Sequence, residues 1–134
     1  MNLREVFESP VVQQFLRFST VGVAATGVHY GILVALVEVF HVHTLLSTSL
    51  GFVAGALVSY SLNRIYTFTK SKFTWIKLTK YYGVTAIGMV LNGAIVAILL
   101  GWGIYYLLAQ VIATGVVLIS NFLSARWVVF RDTA

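Results

Sequence analysis

The sequence predicts an all-α integral membrane protein with four transmembrane helices, built as two parallel two-helix repeats with both termini cytoplasmic. Three observations lead there. The 134 residues are 59% hydrophobic and only 10% charged, with a mean hydropathy of +0.90, where a soluble domain would carry roughly 25% charged residues. The few charges sit in clusters and leave long uncharged runs. Two related stretches, Asn63-Arg64-Ile65-Tyr66-Thr67-Phe68 and Ala125-Arg126-Trp127-Val128-Val129-Phe130, each close a long apolar segment. Overlaying them puts Arg64 on Arg126, Phe68 on Phe130, Tyr60 on Phe122 and Ser59 on Asn121. Nearly the same offset brings Arg17 near Lys80, Phe18 onto Tyr81 and His29 onto Asn92. The chain therefore reads as one unit written twice, and such a period fixes the architecture.

The whole of 1–134 reads as one transmembrane domain, with no linker or low-complexity segment. Its polar start, with Arg4, Glu5, Glu8 and Pro10, suits a short interfacial helix, because proline is tolerated in a first turn. The first apolar run, about 11–37, exceeds the ~7–15 residues of a signal-peptide core, so it reads as a retained helix. Helix one is expected over 15–38, about 36 Å at ~1.5 Å per residue, which spans a ~30 Å core with some tilt. A tight turn, Phe40-His41-Val42-His43, leads to helix two over 45–66. The one clearly polar loop, 69–77, holds Lys70, Lys72 and Lys77 with Phe73 and Trp75 between them. Helix three follows over 78–100, then the turn Gly101-Trp102-Gly103 and helix four over 105–128.

Orientation follows from the nine lysines and arginines. Arg4 and Arg17 lie at the start of helix one. Arg64, Lys70, Lys72, Lys77 and Lys80 flank the middle loop, and Arg126 and Arg131 lie at the end of helix four. All fall on one side, which the positive-inside rule makes cytoplasmic. Two repeats that each enter and leave on that side are parallel, with substrate or partner sites expected between the halves. The net charge of +5 thus reads as topology and contact with anionic membrane lipids, not as a nucleic-acid signal.

Ser47, Gly51, Gly55, Ser59 and Asn63 recur every four residues on helix two. Such a stripe serves close helix packing in lipid, or alternatively the floor of a groove for a lipid chain. Arg64 and Arg126 sit near the inner ends of helices two and four. One such arginine is explained by snorkelling. Two at matched repeat positions point to a headgroup or phosphate site, because the guanidinium fork matches phosphate. Arg17 and Lys80 would complete a basic ring. His29 and Asn92 lie near mid-membrane, either bonded between helices to lock the halves together or lining a polar path together with Asn63 and Asn121. Tyr66 and Trp127 belong to an inner aromatic belt and are candidates to stack on a sugar.

Several classes lack their residues. No cysteine is present, so no thiolate site or nucleophile is available. His41 and His43 with Glu38 have ligand types for a metal, but a turn so short is explained by a solvated cap, and no metal is assigned. No nucleotide-binding loop, carboxylate pair or Ser-His-Asp set appears. With four acidic residues, the chain is not expected to be an enzyme or to need a cofactor.

Arg17-Phe18-Ser19-Thr20-Val21-Gly22 resembles the Arg-Phe-x-x-Val-Gly start of the GtrA family. Asn63-Arg64-Ile65-Tyr66-Thr67-Phe68 resembles its Asn-Arg-x-x-x-Phe ending, and 121–130 resembles that ending a second time, with Ala125 where the family often has Asn. The resemblance covers about 15–131. It implies a flippase that moves polyprenyl-phosphate-linked sugar across the cytoplasmic (inner) membrane for cell-surface polysaccharide biosynthesis. The alternative is a non-transporting anchor or activator of a glycosyltransferase, docked through the basic loop. A small multidrug exporter has similar length and helix number, but such carriers resemble one another in a mid-membrane Glu on helix one, which is missing here. Four helices make a thin bundle for so large a headgroup, which is compatible with a homodimer.

Overall fold

The computed structural model describes residues 2–133, so the two end residues of the expected 1–134 domain lie outside the described residues. Among the described residues every regular element is a helix. They are α1 (Leu3–Glu8), α2 (Pro10–Val34), α3 (Thr44–Leu62), α4 (Trp75–Gly101) and α5 (Tyr106–Ser124). Three of them run on into a widened π-helical turn: α2 into Ala35–Val39, α3 into Asn63–Thr67 and α5 into Ala125–Val129. A short 3-10 turn, Arg131–Thr133, follows the last. With their extensions, four helices are long and apolar enough to cross a membrane: Pro10–Val39, Thr44–Thr67, Trp75–Gly101 and Tyr106–Val129. The chain forms two compact units that divide between Phe73 and Thr74. In the first α2 packs on α3, and in the second α4 packs on α5.

Helix starts are set by caps that hydropathy does not register. α1 begins with a capping box, in which Glu5 N–H donates to Asn2 Oδ1 (2.9 Å) and Asn2 N–H to Glu5 Oε2 (3.1 Å). Ser9 Oγ accepts from Val12 N–H at 3.3 Å and Pro10 takes the first turn, so α2 starts earlier than the expected residue 15. Thr74 Oγ1 accepts from Lys77 N–H at 3.1 Å. α4 therefore absorbs Trp75, Ile76 and Lys77 from the expected loop. Each cap satisfies an orphan donor of a first turn.

The two tight turns close differently. His41 takes a positive φ of 53°, Val42 N–H donates to Leu36 O at 2.8 Å, and the His43 ring caps α3 by accepting from Leu45 N–H at 3.2 Å. At the other turn Gly103 takes φ 80°. Gly103 N–H reaches Leu100 O and Ile104 N–H reaches Leu99 O, both at 3.0 Å. That is a glycine-ended Schellman stop. Among the described residues no group of three His, Asp or Glu side chains gathers to hold a metal.

All five members of the stripe on α3 are buried. A Cβ at Gly51 would stand 2.6 Å from His29 Cδ2 and 2.8 Å from His29 O, and one at Gly55 would stand 3.1 Å from Ala25 O. α2 and α3 therefore meet backbone to backbone here, and the stripe is covered by α2. It is a packing face, not an open groove floor. In the second unit Ala109 and Ala113 are fully buried on α5, where the first unit has Ser47 and Gly51. The close seat there is on α4, where a Cβ at Gly88 would stand 2.6 Å from Asn121 Oδ1.

The repeated six-residue stretches are the widened turns themselves. Phe68 N–H donates to Asn63 O, and Phe130 N–H to Ala125 O, both at 2.7 Å. The first residue thus supplies the acceptor and the Phe supplies the donor of the i→i+5 bond that defines a π turn. The first, fifth and sixth residues of each turn are buried, and the third and fourth are exposed. Burying each Phe contributes about 1.5–3 kcal/mol. Inside the first turn Thr67 Oγ1 donates to Asn63 Oδ1 at 2.7 Å, and Asn63 Nδ2 donates to Ser59 Oγ at 3.4 Å. The second turn has Ala125 and Val129 in those two places, so the backbone geometry does not require the polar pair.

Two outcomes follow for stability. Gly51→Ala is expected to destabilise by about 1–3 kcal/mol, since it overpacks a backbone contact. Gly27→Ala and Gly31→Ala should stay within about 1 kcal/mol, because nothing lies within 4 Å of either added methyl. Thermal unfolding of the detergent-solubilised protein checks this, and equal losses at Gly51 and Gly27 would refute it. A double-mutant cycle of Asn63→Ala and Thr67→Val is expected to show coupling of about 0.5–3 kcal/mol. Strictly additive losses in the same unfolding assay would mean that the buried pair is not a working hydrogen bond.

Candidate functional site

The first-unit end that carries Arg17 and Arg64 is built by excess helix length and by the widened turn. The 30 residues of Pro10–Val39 reach about 45 Å at 1.5 Å per residue, well beyond a ~30 Å hydrocarbon core. Arg17, two turns from the start, is thereby free to sit at headgroup level. Its Nη1 donates to Tyr66 O at 3.2 Å, and its Cζ lies 5.2 Å from the centroid of the Tyr66 ring. The carbonyl is one of those a helix C-terminus leaves without an intrahelical partner, and a cation is favoured there. The ring face adds a cation–π contact of about 0.5–1 kcal/mol. Arg17 therefore docks on the turn that contains Arg64.

Arg64 occupies the second place of that turn and is half-buried. Its Nε is buried without a hydrogen-bond partner. Among the described residues neither Arg17 nor Arg64 pairs with a carboxylate, whereas Arg4 pairs with Glu8 and Lys77 with Asp132. Arg17 thus docks on the turn that carries Arg64, no carboxylate pairs with either, and the half-exposed Tyr66 ring (46%) lies under Arg17.

The second unit is arranged differently at the corresponding end. Arg126 is also half-buried with its Nε in the interior. Tyr81 packs edge-on to Phe130, with ring centroids 6.4 Å apart. Lys77 Nζ, with 14% of its side chain exposed, pairs with Asp132 Oδ2 at 2.7 Å. Lys80 is exposed. Trp127 is exposed, but it matches Ile65 in the overlay, and Val128 stands where the first turn has Tyr66. The aromatic seat under Arg17 therefore has no counterpart.

The mid-helix polar residues pair within each hairpin. His29 Nε2 lies 3.3 Å from Thr48 Oγ1. Gln110 Nε2 donates to Asn92 Oδ1 and to Thr114 Oγ1, each at 3.0 Å. Thr48 and Gln110 are themselves related by the offset that relates Arg64 to Arg126, so the two hairpins carry equivalent polar rungs. These bonds join the helices of one hairpin; they do not join the halves, as a lock between repeats would require. Asn63 is fully buried with its amide engaged inside its own helix, so in this fold it shapes the turn instead of facing an open path. Asn121 is half-buried on its Gly88 seat. Thr48, Thr114 and Asp132 were not singled out from sequence. Carrying the repeat offset from Gln110 back to Thr48 is the signal that finds the first of them.

These features sit in a chain with informative relatives. It is similar to the bactoprenol-linked glucose translocase of Salmonella phage P22, with 25% identity over 127 residues that cover 91% of this chain and 98% of that protein. The family model for the GtrA/DPMS transmembrane domain matches residues 17–130, from the arginine that docks on the first turn to the phenylalanine that closes the second. The chain belongs to the GtrA/DPMS transmembrane-domain family.

Proposed function

We propose that this protein is a flippase for polyprenyl-phosphate-linked sugars, acting in the cytoplasmic membrane with both termini on the cytoplasmic side. The observation that carries the reading is the docking of Arg17 on the turn that carries Arg64, with no carboxylate paired to either arginine. A cation at membrane level is costly unless an anion meets it. A guanidinium fork suits phosphate, and in this setting the phosphate is that of a lipid. Membership of the family and the translocase name of the phage relative support the same substrate class.

The steps follow from the chemistry of the side chains. Arg17 and Arg64 in the first half, with Arg126 and Lys80 in the second, draw the phosphate to the cytoplasmic ends of the helices. Tyr66 and Trp127, exposed at that level, offer ring faces to the sugar. The sugar hydroxyls then need hydrogen-bond partners inside the bilayer, because an unpaired hydroxyl there costs several kcal/mol. His29–Thr48 and Asn92–Gln110 supply them. Interhelical hydrogen bonds in membranes are worth only about 0.6–2 kcal/mol, so a rung exchanges one partner for a hydroxyl at little net cost. An inside-negative potential favours outward movement of one negative charge by about 2.3 kcal/mol per 100 mV. Consumption of the sugar outside pulls the transfer further.

A second reading is favoured by one surface. Lys70, Lys72, Phe73 and Trp75 are all exposed, and a basic-aromatic loop of this kind suits docking of a glycosyltransferase that the protein would anchor or activate. Liposomes separate the two. Purified protein is expected to carry a short-chain polyprenyl-phosphate sugar to the opposite leaflet, and Arg64→Ala/Arg126→Ala should slow this roughly tenfold or more, given about 1.5–3 kcal/mol per charged hydrogen bond. Folded protein that transfers no faster than protein-free liposomes would favour the anchor.

A further inference from the structure

We infer that the two halves are not equivalent anion sites: the first half holds the phosphate, and Asp132 keeps the second half occupied by serving as its built-in anion. The inference rests on the flippase reading above and assigns its headgroup site to one repeat. Four differences at matched positions carry it. The first turn presents an aromatic ring and a backbone carbonyl to a docking arginine, whereas the second has Val128 at the place of Tyr66. Arg17, which donates to that turn, is matched by Lys80, an exposed side chain without the guanidinium fork. Asn63 and Thr67 brace the first turn with a buried hydrogen bond, where the second has Ala125 and Val129. The second half also contains a cation that is already neutralised, because Lys77 Nζ meets Asp132 Oδ2 at 2.7 Å with the ammonium side chain only 14% exposed.

The last difference has the clearest chemistry. In the overlay Lys77 matches Gln14, and Asp132 matches Lys70. The first half therefore has no such pair at the matched positions, and its acids Glu5 and Glu8 lie on α1, where Glu8 pairs with the exposed Arg4; the second has one acid placed on its least exposed lysine. A carboxylate and a phosphate oxygen compete for the same ammonium, since both are strong acceptors for it. An arriving lipid phosphate meets arginines that no carboxylate pairs with in the first half. In the second it gains Lys77 only by displacing Asp132, which is covalently tethered and present at high effective concentration.

The test measures binding of a short-chain polyprenyl monophosphate by the full-length protein in zwitterionic phosphatidylcholine nanodiscs, so that no anionic lipid competes. Arg64→Gln is expected to weaken binding by roughly tenfold or more, and Arg126→Gln by less than about threefold. Asp132→Asn should tighten binding about two- to fivefold, the range of a partly exposed ion pair, and should restore part of what Arg64→Gln loses. Asp132→Glu should behave as wild type. Helix content and monodispersity of each variant confirm folding, and Arg64→Lys, which keeps the charge and loses the fork, provides a second probe of the same position. Equal losses for Arg64→Gln and Arg126→Gln overturn the division between the halves while leaving the phosphate site in place. No loss in either overturns the phosphate site itself. Unchanged or weaker binding in Asp132→Asn overturns the role given to Asp132 and leaves it a tether for the last turn.

Discussion

The widened turn that ends α3 and α5 is the constraint on which the rest depends. Its i→i+5 bond runs from Asn63 O to Phe68 N–H, and again from Ala125 O to Phe130 N–H. An ordinary helix turn would bring residues four apart into register. The wider one brings the first, fifth and sixth inward together, so a buried Phe closes the helix while the arginine beside the first residue enters the same interior by its stem. Each arginine is half-buried with its Nε desolvated, and the turn accommodates this with backbone geometry and one aromatic anchor.

Close approach supplies the remaining cohesion. In lipid there is no hydrophobic drive between helices, so contact depends on backbones that meet and on polar groups that pair. Gly51 and Gly55 admit the backbone and ring of His29, which also lies 3.3 Å from Thr48. In the second hairpin the glycine changes helix, with Gly88 seating Asn121, and the rung becomes Asn92–Gln110. In the first hairpin one residue, His29, takes both the small-residue seat and the rung, whereas in the second the seat belongs to Asn121 and the rung to Asn92 and Gln110.

Much of this is legible in the chain. Hydropathy and the clustering of charge give four helices, because a hydrocarbon core selects for length and composition. The overlay of Arg64 on Arg126 falls on two turns with the same i→i+5 bond, one in each compact unit, and the four-residue spacing of the α3 stripe marks its packing face. The widened turns are harder to see. Their signature is one main-chain bond, and the only trace in sequence is a Phe five residues after Asn63 or Ala125. Asn63 looked like lining because an amide in an apolar helix signals a polar need; the need is met by Thr67, whose hydroxyl is unremarkable in sequence. Thr48 was passed over for the same reason. The Lys77–Asp132 pair spans 55 positions, and no periodicity connects them.

A repeated unit need not mean a repeated site. A transported anion must be held long enough to enter and loosely enough to leave, a balance familiar from channels. One arginine–phosphate hydrogen bond contributes about 1.5–3 kcal/mol. On the proposed reading two such arginines hold the substrate, and doubling the set would raise affinity by a further two to four orders of magnitude at about 1.4 kcal/mol per tenfold. Release would slow in proportion, because affinity differences are expressed mainly in the off-rate. On the proposed reading, neutralising a lysine of the second half from within would keep its contribution to topology, since the positive-inside rule depends on lysine and arginine and not on net charge, while removing it from competition for substrate. The proposed divergence between the halves would thus separate two demands on basic residues that an exact duplicate would have to meet at once: fixing the orientation of the helices and gripping a headgroup that has to be let go.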